Sequence, residues 1–150
     1  MNIIICTDAR GGMLFNNRRV SRDGAVSEDI LYTVRGERLF IKPYSMKLFE
    51  PLFDRYDMPT VCDDPLGEAG DGEWCFIEDE DITPHLDRVE RLLIYNWGSR
   101  YPYDLCFDPE HGLCGFKLSE KRKFAGVAHD EITRELYRPD HSKGENDEDI

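Results

Sequence analysis

Apolar residues along this chain gather in short runs separated by polar stretches of helical period. Residues 2–6 read NIIIC, 38–42 RLFIK, 59–62 PTVC, 73–77 EWCFI and 91–95 RLLIY. Each run is short, rich in Ile, Val, Leu or Phe and bounded by turn-forming residues, which predicts strands buried on both faces of a sheet. Between the first two, residues 21–36 (SRDGAVSEDILYTVRG) set Val26, Ile30 and Val34 four apart, one face of a helix that Gly36 is placed to end. Residues 43–53 (PYSMKLFEPLF) open on a proline, tolerated in a first helical turn, and set Met46, Phe49 and Phe53 along one side. A third, weaker helical pattern covers 81–90 (DITPHLDRVE). Strand and helix therefore alternate, the pattern of a mainly parallel sheet with helices on both faces.

The pattern changes after residue 98. Apolar residues there fall in LCF, LCGFKL and a closing segment, with no helix between them, and such strands pair antiparallel. In HDEITRELYR (129–138), Ile132 and Leu136 fit one face of a helix and equally one face of a strand. From residue 139 the chain has almost no apolar content, which predicts a disordered acidic tail (139–150) on a single domain spanning 1–138. Deleting residues 140–150 is expected to leave the melting temperature nearly unchanged in thermal denaturation, because so little apolar area cannot offset the entropy of ordering the segment. A fall of many degrees would show that the tail packs on the domain.

Composition narrows the function classes. At 150 residues the chain suits one domain with one core. Against 19 basic residues stand 31 acidic ones, a formal charge of −12 that repels nucleic acid and anionic membranes. The cluster Arg18, Arg19 and Arg22 is too narrow for a nucleic-acid footprint and reads as a solvated loop. No apolar run approaches the ~20 residues of a membrane span. The opening MNIIICTDARGG lacks the basic lead-in and apolar length of a signal peptide and reads as a buried strand. The cysteines, Cys6, Cys62, Cys75, Cys106 and Cys114, are odd in number and form no C-x-x-C pair; most sit beside apolar residues, as reduced thiols of a cytoplasmic protein would. His85, His111, His129 and His141 match no metal-ligand spacing, and no nucleophile elbow or phosphate-binding loop sequence is present.

The turn between the apolar run 73–77 and the weak helix carries Glu78, Asp79, Glu80 and Asp81. A strand-to-helix turn is a natural seat for a phosphate, since free backbone N–H groups point out of it. Carboxylates there exclude a phosphate, and they also favour the helix dipole.

In its order of segments the chain resembles the dihydrofolate reductase superfamily. MNIIICTDARGGM is similar to the family's first strand and the glycine-bearing loop that closes over substrate. EWCFIEDEDITPHLDRVERLLIYNW is similar to its block of strand, Gly-Gly, short helix and strand. YDLCFDPEHGLCGFKL holds an Asp and a Phe three apart, Asp104 and Phe107, and ITRELYR resembles the closing antiparallel strand. Over residues 1–138 the resemblance implies an α/β, dihydrofolate reductase-like fold: a central mainly parallel sheet with an antiparallel C-terminal edge and flanking helices.

The departures matter for function. Where the family's Gly-Gly admits the cofactor pyrophosphate, this chain has Glu78 and Asp79, each repelling it by roughly 1 kcal/mol or more at an effective dielectric near ~20. The family's Gly-Arg pair and following hydroxyl become Lys42, Pro43 and Ser45, and its Ser-Arg pair for the extra phosphate of NADPH becomes Asp63 and Asp64. The resemblance thus implies no cofactor bound in the usual way. For ligand binding it leaves Asp8, Asp23, Tyr95, Lys42 and Ser45. Asp23 reads as a ligand contact or as the N-cap of the first helix, with Glu28 and Asp29 as register alternatives; Tyr95 reads as ligand contact or packing, and Asp8 as a site residue or turn former. The expected function is binding of a small planar ligand or a protein partner. A second reading is an oxidoreductase acting on a pterin-like or other small heterocycle, with NADPH, another nicotinamide or a flavin seated through Lys42 and the first-strand loop. A third is a structural subunit of a larger assembly.

Overall fold

A computed structural model of the chain describes residues 1–16, 18–19, 22–98 and 102–141. Strands β1 (Asn2–Thr7), β2 (Gly12–Phe15) and β3 (Arg18–Arg19) precede helix α1 (Gly24–Thr33). Next come β4 (Leu39–Ile41), a helical turn α2 (Met46–Phe49) between 3-10 turns at Pro43–Ser45 and Glu50–Leu52, β5 (Thr60–Val61) and α3 (Pro65–Glu68). They are followed by β6 (Trp74–Phe76), a 3-10 helix at Thr83–Arg88, β7 (Arg91–Asn96), β8 (Leu105–Cys106), α4 (Pro109–Gly112), β9 (Phe116–Phe124) and β10 (Ile132–Pro139). Residues 142–150 of the expected tail lie outside the described residues.

Seven strands form one sheet in the order β5-β4-β6-β1-β7-β10-β9. The pairs among β5, β4, β6, β1 and β7 are parallel, whereas β10 runs antiparallel to both β7 and β9. This is the mainly parallel sheet with an antiparallel C-terminal edge that the segment order predicts. The reason lies in β1. Ile3, Ile4 and Ile5 are all fully buried, but on opposite faces: Ile4 packs with Val26 and Ile30 of α1, while Ile3 and Ile5 pack with Leu66 and Val89. A strand that is apolar at consecutive positions needs a layer on each side, and the intervening helical segments supply them.

The run 59–62 departs from this. Thr60 and Val61 are both exposed, because β5 ends the sheet order and pairs on one side only, so the expectation of a strand buried on both faces is corrected there. The ambiguous segment 129–138 resolves as strand: β10 lies between β7 and β9 and buries Ile132 and Leu136. Local pattern could not decide this, since backbone pairing with both neighbours does. In the second helical segment, Pro51 has no N–H to donate and breaks the helix after one turn. A second sheet, β3-β2-β8, joins two short strands of the loop after β1, which the sequence reads as turn and loop alone, to β8, which falls in the apolar run LCF and pairs antiparallel with β2.

Among the described residues no helix is long and apolar enough to cross a membrane. All five cysteines are free, Cys75 buried and Cys114 exposed.

Candidate functional site

The parallel strands end along one edge, where β4 leads into Lys42, β6 into the 77–81 turn, β1 into Asp8 and β7 into Trp97. Clefts in parallel sheets form at this edge. Glu78 is buried there, although it is a carboxylate. Its Oε1 accepts from Arg19 Nε at 2.7 Å; its Oε2 accepts from Arg19 Nη2 at 3.0 Å and from the buried Ser45 hydroxyl at 2.6 Å. Arg19 is fixed further by donating Nη2 to the Tyr44 carbonyl at 3.1 Å, and its guanidinium lies 4.4 Å from the centre of the Tyr44 ring. One carboxylate therefore ties together the β3 strand, the turn after β4 and the turn after β6. A hydroxyl and a bidentate guanidinium are the donors that commonly hold a phosphate. Here they hold Glu78.

Lys42 lies beside this group, 3.1 Å from Asp79 and 2.5 Å from Glu80. Burial lowers the affinity of its ammonium for a proton, but the bonds to Glu80 and Asp79 outweigh that and hold it above the ordinary lysine range. Asp64 caps α3, accepting from the Gly67 N–H at 3.2 Å, and Asp63 is exposed. Lys42 and Ser45 are thus brought together by the acidic turn, with Arg19 as a third cationic or donor group. The sequence reading of Arg18, Arg19 and Arg22 as a solvated loop is corrected at Arg19. The signal was available in its acidic complement: four consecutive acids at the end of a buried strand call for cations from elsewhere in the chain.

Asp23 is the N-cap of α1 and more than that. Its Oδ1 accepts from the N–H groups of Ala25 at 2.9 Å and Val127 at 2.8 Å; its Oδ2 accepts from Ala128 N–H at 2.7 Å and stands 3.0 Å from His129 Nδ1. Burial raises the carboxyl's proton affinity, but the Val127 amide, the His129 ring and the Ala128 and Ala25 amides outweigh it and hold the group below the ordinary carboxylate range. His129 stacks on the buried Trp97 at 4.9 Å between centroids. Asp23 therefore clasps the segment before β10 to the start of α1.

Tyr95 is fully buried and donates its hydroxyl to Asp29 Oδ2 at 2.5 Å. Asp29 also receives Arg134 at 3.0 Å and Arg122 at 2.6 Å. Burial first, and Asp29 second, push the phenol's pKa up, so it stays neutral. Of the register alternatives in α1, Asp29 is the one that meets Tyr95. Asp8 is buried and shapes its own loop, accepting from the N–H groups of Arg10 and Gly12 at 2.8 Å each. In that loop Gly11 has φ +85°, and a Cβ there would stand 2.1 Å from the Phe107 carbonyl oxygen. The loop glycine is required for close packing on Phe107.

The five expected site residues are thus divided among separate networks: Lys42 and Ser45 at the acidic turn, Asp23 at the clasp, Tyr95 with Asp29, and Asp8 within its loop. Of these, Asp23 borders an open cleft of about 330 Å³, between the start of α1, α2 and the 127–128 segment. Leu48, Pro51 and Val127 give it apolar walls, and Arg22 and Lys47 stand at it with no carboxylate partner among the described residues. Among the described residues there is no group of three or more His, Cys, Asp or Glu side chains placed to hold a metal ion.

No family model matches the sequence, and no curated protein matches it. A solved structure similar to this one is dihydrofolate reductase from Enterococcus faecalis, complexed with NADP(H) and RAB-propyl: TM-score 0.61, 9% identity, covering 93% of this chain and 95% of that chain. Nearly the whole chain superposes on that architecture with almost no sequence in common. The chain has a dihydrofolate reductase-like fold.

Proposed function

We propose that this domain binds a small planar ligand in the cleft beside Asp23 and does not work as a standard NADPH-dependent reductase. The observation that carries the reading is Glu78. Its carboxylate takes the Arg19 and Ser45 donors, while Asp79 and Glu80 neutralise Lys42, so the turn that would admit a pyrophosphate is filled by side chains of the chain itself. An oxidoreductase with a nicotinamide dinucleotide would have to displace that network. Proton-exchange chemistry is likewise unsupported at Tyr95, whose hydroxyl is held neutral in the core.

The cleft at Asp23, at about 330 Å³, lies at the small end of ligand pockets. With the Asp23 oxygens engaged by the protein, its free polar groups are cationic, Arg22 and Lys47. This favours a flat ring with an anionic substituent over an amidine-like cation, and its concave form favours a small molecule over a protein partner. Free cysteines suit a cytoplasmic setting for such a binder.

Fluorescence titration with a pterin carboxylate tests the reading, since the probe is planar, anionic and emissive. Saturable quenching is expected, lost in Leu48→Trp, which fills the cleft, and weakened in Lys47→Gln. No saturation up to millimolar probe, or equal binding by Leu48→Trp, would overturn it.

A further inference from the structure

A second, wider cleft lies at the other end of the sheet, where the parallel strands begin. It measures about 760 Å³ and is bounded by the segment entering β7, the segment after α4, the start of β9 and the end of β10. Its floor includes the buried Val89 and the partly buried Phe116. Three cations line it, Arg88, Lys117 and Arg138, and none has a carboxylate partner among the described residues.

Their arrangement is unusual for a chain with so many acids. Most other cations of the sheet are paired: Arg91 with Glu37, Arg122 and Arg134 with Asp29, Lys123 with Glu131. Lys117 and Arg138, by contrast, are directly opposite each other in the β9–β10 ladder. Opposed residues of an antiparallel pair project from the same face, and like charges there destabilise the pair. Arg138 has only a weak contact, Nε to Ser119 Oγ at 3.4 Å, while Arg88 Nη2 donates to the Leu66 carbonyl at 2.9 Å and stands 3.3 Å from His85 Nδ1. Of the two carboxylates in the lining, Glu90 is neutralised by the Met1 ammonium at 2.8 Å and the Gly72 N–H at 2.9 Å, which leaves Asp87. Three cations against one uncompensated carboxylate, over an apolar floor, make a site for an anion with an apolar body.

We infer that this cleft is a second binding site, for a small ligand carrying a phosphate or carboxylate on an apolar ring, held by the opposed Lys117 and Arg138 with Arg88 at its side. The anion removes the repulsion between the two strands, and the ring lies on Val89 and Phe116. The site is independent of the cleft at Asp23.

The probe is phenyl phosphate, added to the full chain and followed by amide chemical shifts and thermal melting. Saturable shifts confined to residues 86–90, 114–117 and 138–139 are expected, with a rise in melting temperature. The double variant Lys117→Gln/Arg138→Gln should weaken binding by about tenfold or more. It should itself melt no lower than the parent, because both side chains are exposed and their repulsion is removed. Arg88→Gln should weaken binding to a smaller degree. Absence of saturation at about 10 mM probe, a Kd near −3 kcal/mol in standard free energy or weaker, would overturn the inference, as would unchanged affinity in the double variant. Inorganic phosphate binding as tightly as phenyl phosphate would overturn the part assigned to the ring.

Discussion

Asp23→Ala is expected to lower the stability of the domain by about 3–5 kcal/mol, enough to bring many domains of this size near unfolding. An ordinary N-cap lost to alanine costs about 1 kcal/mol. The larger effect follows from the other donors. Val127 and Ala128 N–H groups, which reach Asp23 from across the fold, would be left in a part-buried place without an acceptor, and His129 would lose its contact with the carboxylate. Urea denaturation gives the number. Asp23→Asn should lie between, since its oxygen still accepts from Ala25 and Val127 while its NH₂ group faces the Ala128 N–H.

The same carboxylate sets a pH dependence. Its pKa is depressed in the folded chain, so its contribution is fully present above the unfolded value of about 3.9 and is lost as pH falls through the lower folded value. The stability gap between the parent and Asp23→Asn should therefore be constant near neutrality and narrow only below about pH 4. A gap that closed well above pH 5 would contradict the assignment to the Asp23 carboxylate.

Much of the sheet was legible in the sequence because its cause is local. Ile3–Ile5 and Leu92–Ile94 are consecutive apolar residues, which only a strand covered on both faces explains. In the small sheet β3-β2-β8, the strand at LCF was legible but β2 and β3 were not, since these short strands carry no alternation and their loop is held by contacts across the chain, such as Gly11 against Phe107. For the site, chemistry was legible and pairing was not. The four acids at 78–81 were visible as carboxylates in a turn suited to anions. That Glu78 is buried, and that Arg19 reaches it from 59 residues away in the chain, depends on how the loop after β1 folds back. Likewise Asp23 reads as a cap from its position before GAVSEDIL, but its clasp on residues 127–129 joins segments about a hundred residues apart.

Glu78→Ala is the second large effect. It leaves the Arg19 guanidinium mostly buried, with the Tyr44 carbonyl as its remaining acceptor, and the buried Ser45 hydroxyl without its partner, at an expected cost of about 3 kcal/mol. Arg19→Ala should cost a similar amount by leaving a buried carboxylate with Ser45 alone. A double-mutant cycle of the two should return a coupling of about 1.5–3 kcal/mol, well above the 0.2–1 kcal/mol typical of exposed pairs. A coupling near zero would mean that Arg19 does not close on the turn in solution. Loss of this network also opens the turn, so Glu78→Gly with Asp79→Gly should gain affinity for NADPH over the parent, provided that repulsion and occupancy are the main obstacles.

Calorimetric titration of the unmodified chain with NADPH at low salt tests the filled seat most directly, because the charges at the turn then act on the ligand unscreened. With Glu78 holding Arg19 and Ser45, and Lys42 held by Asp79 and Glu80, no saturable heat is expected up to millimolar NADPH. A dissociation constant in the low micromolar range or tighter would contradict it.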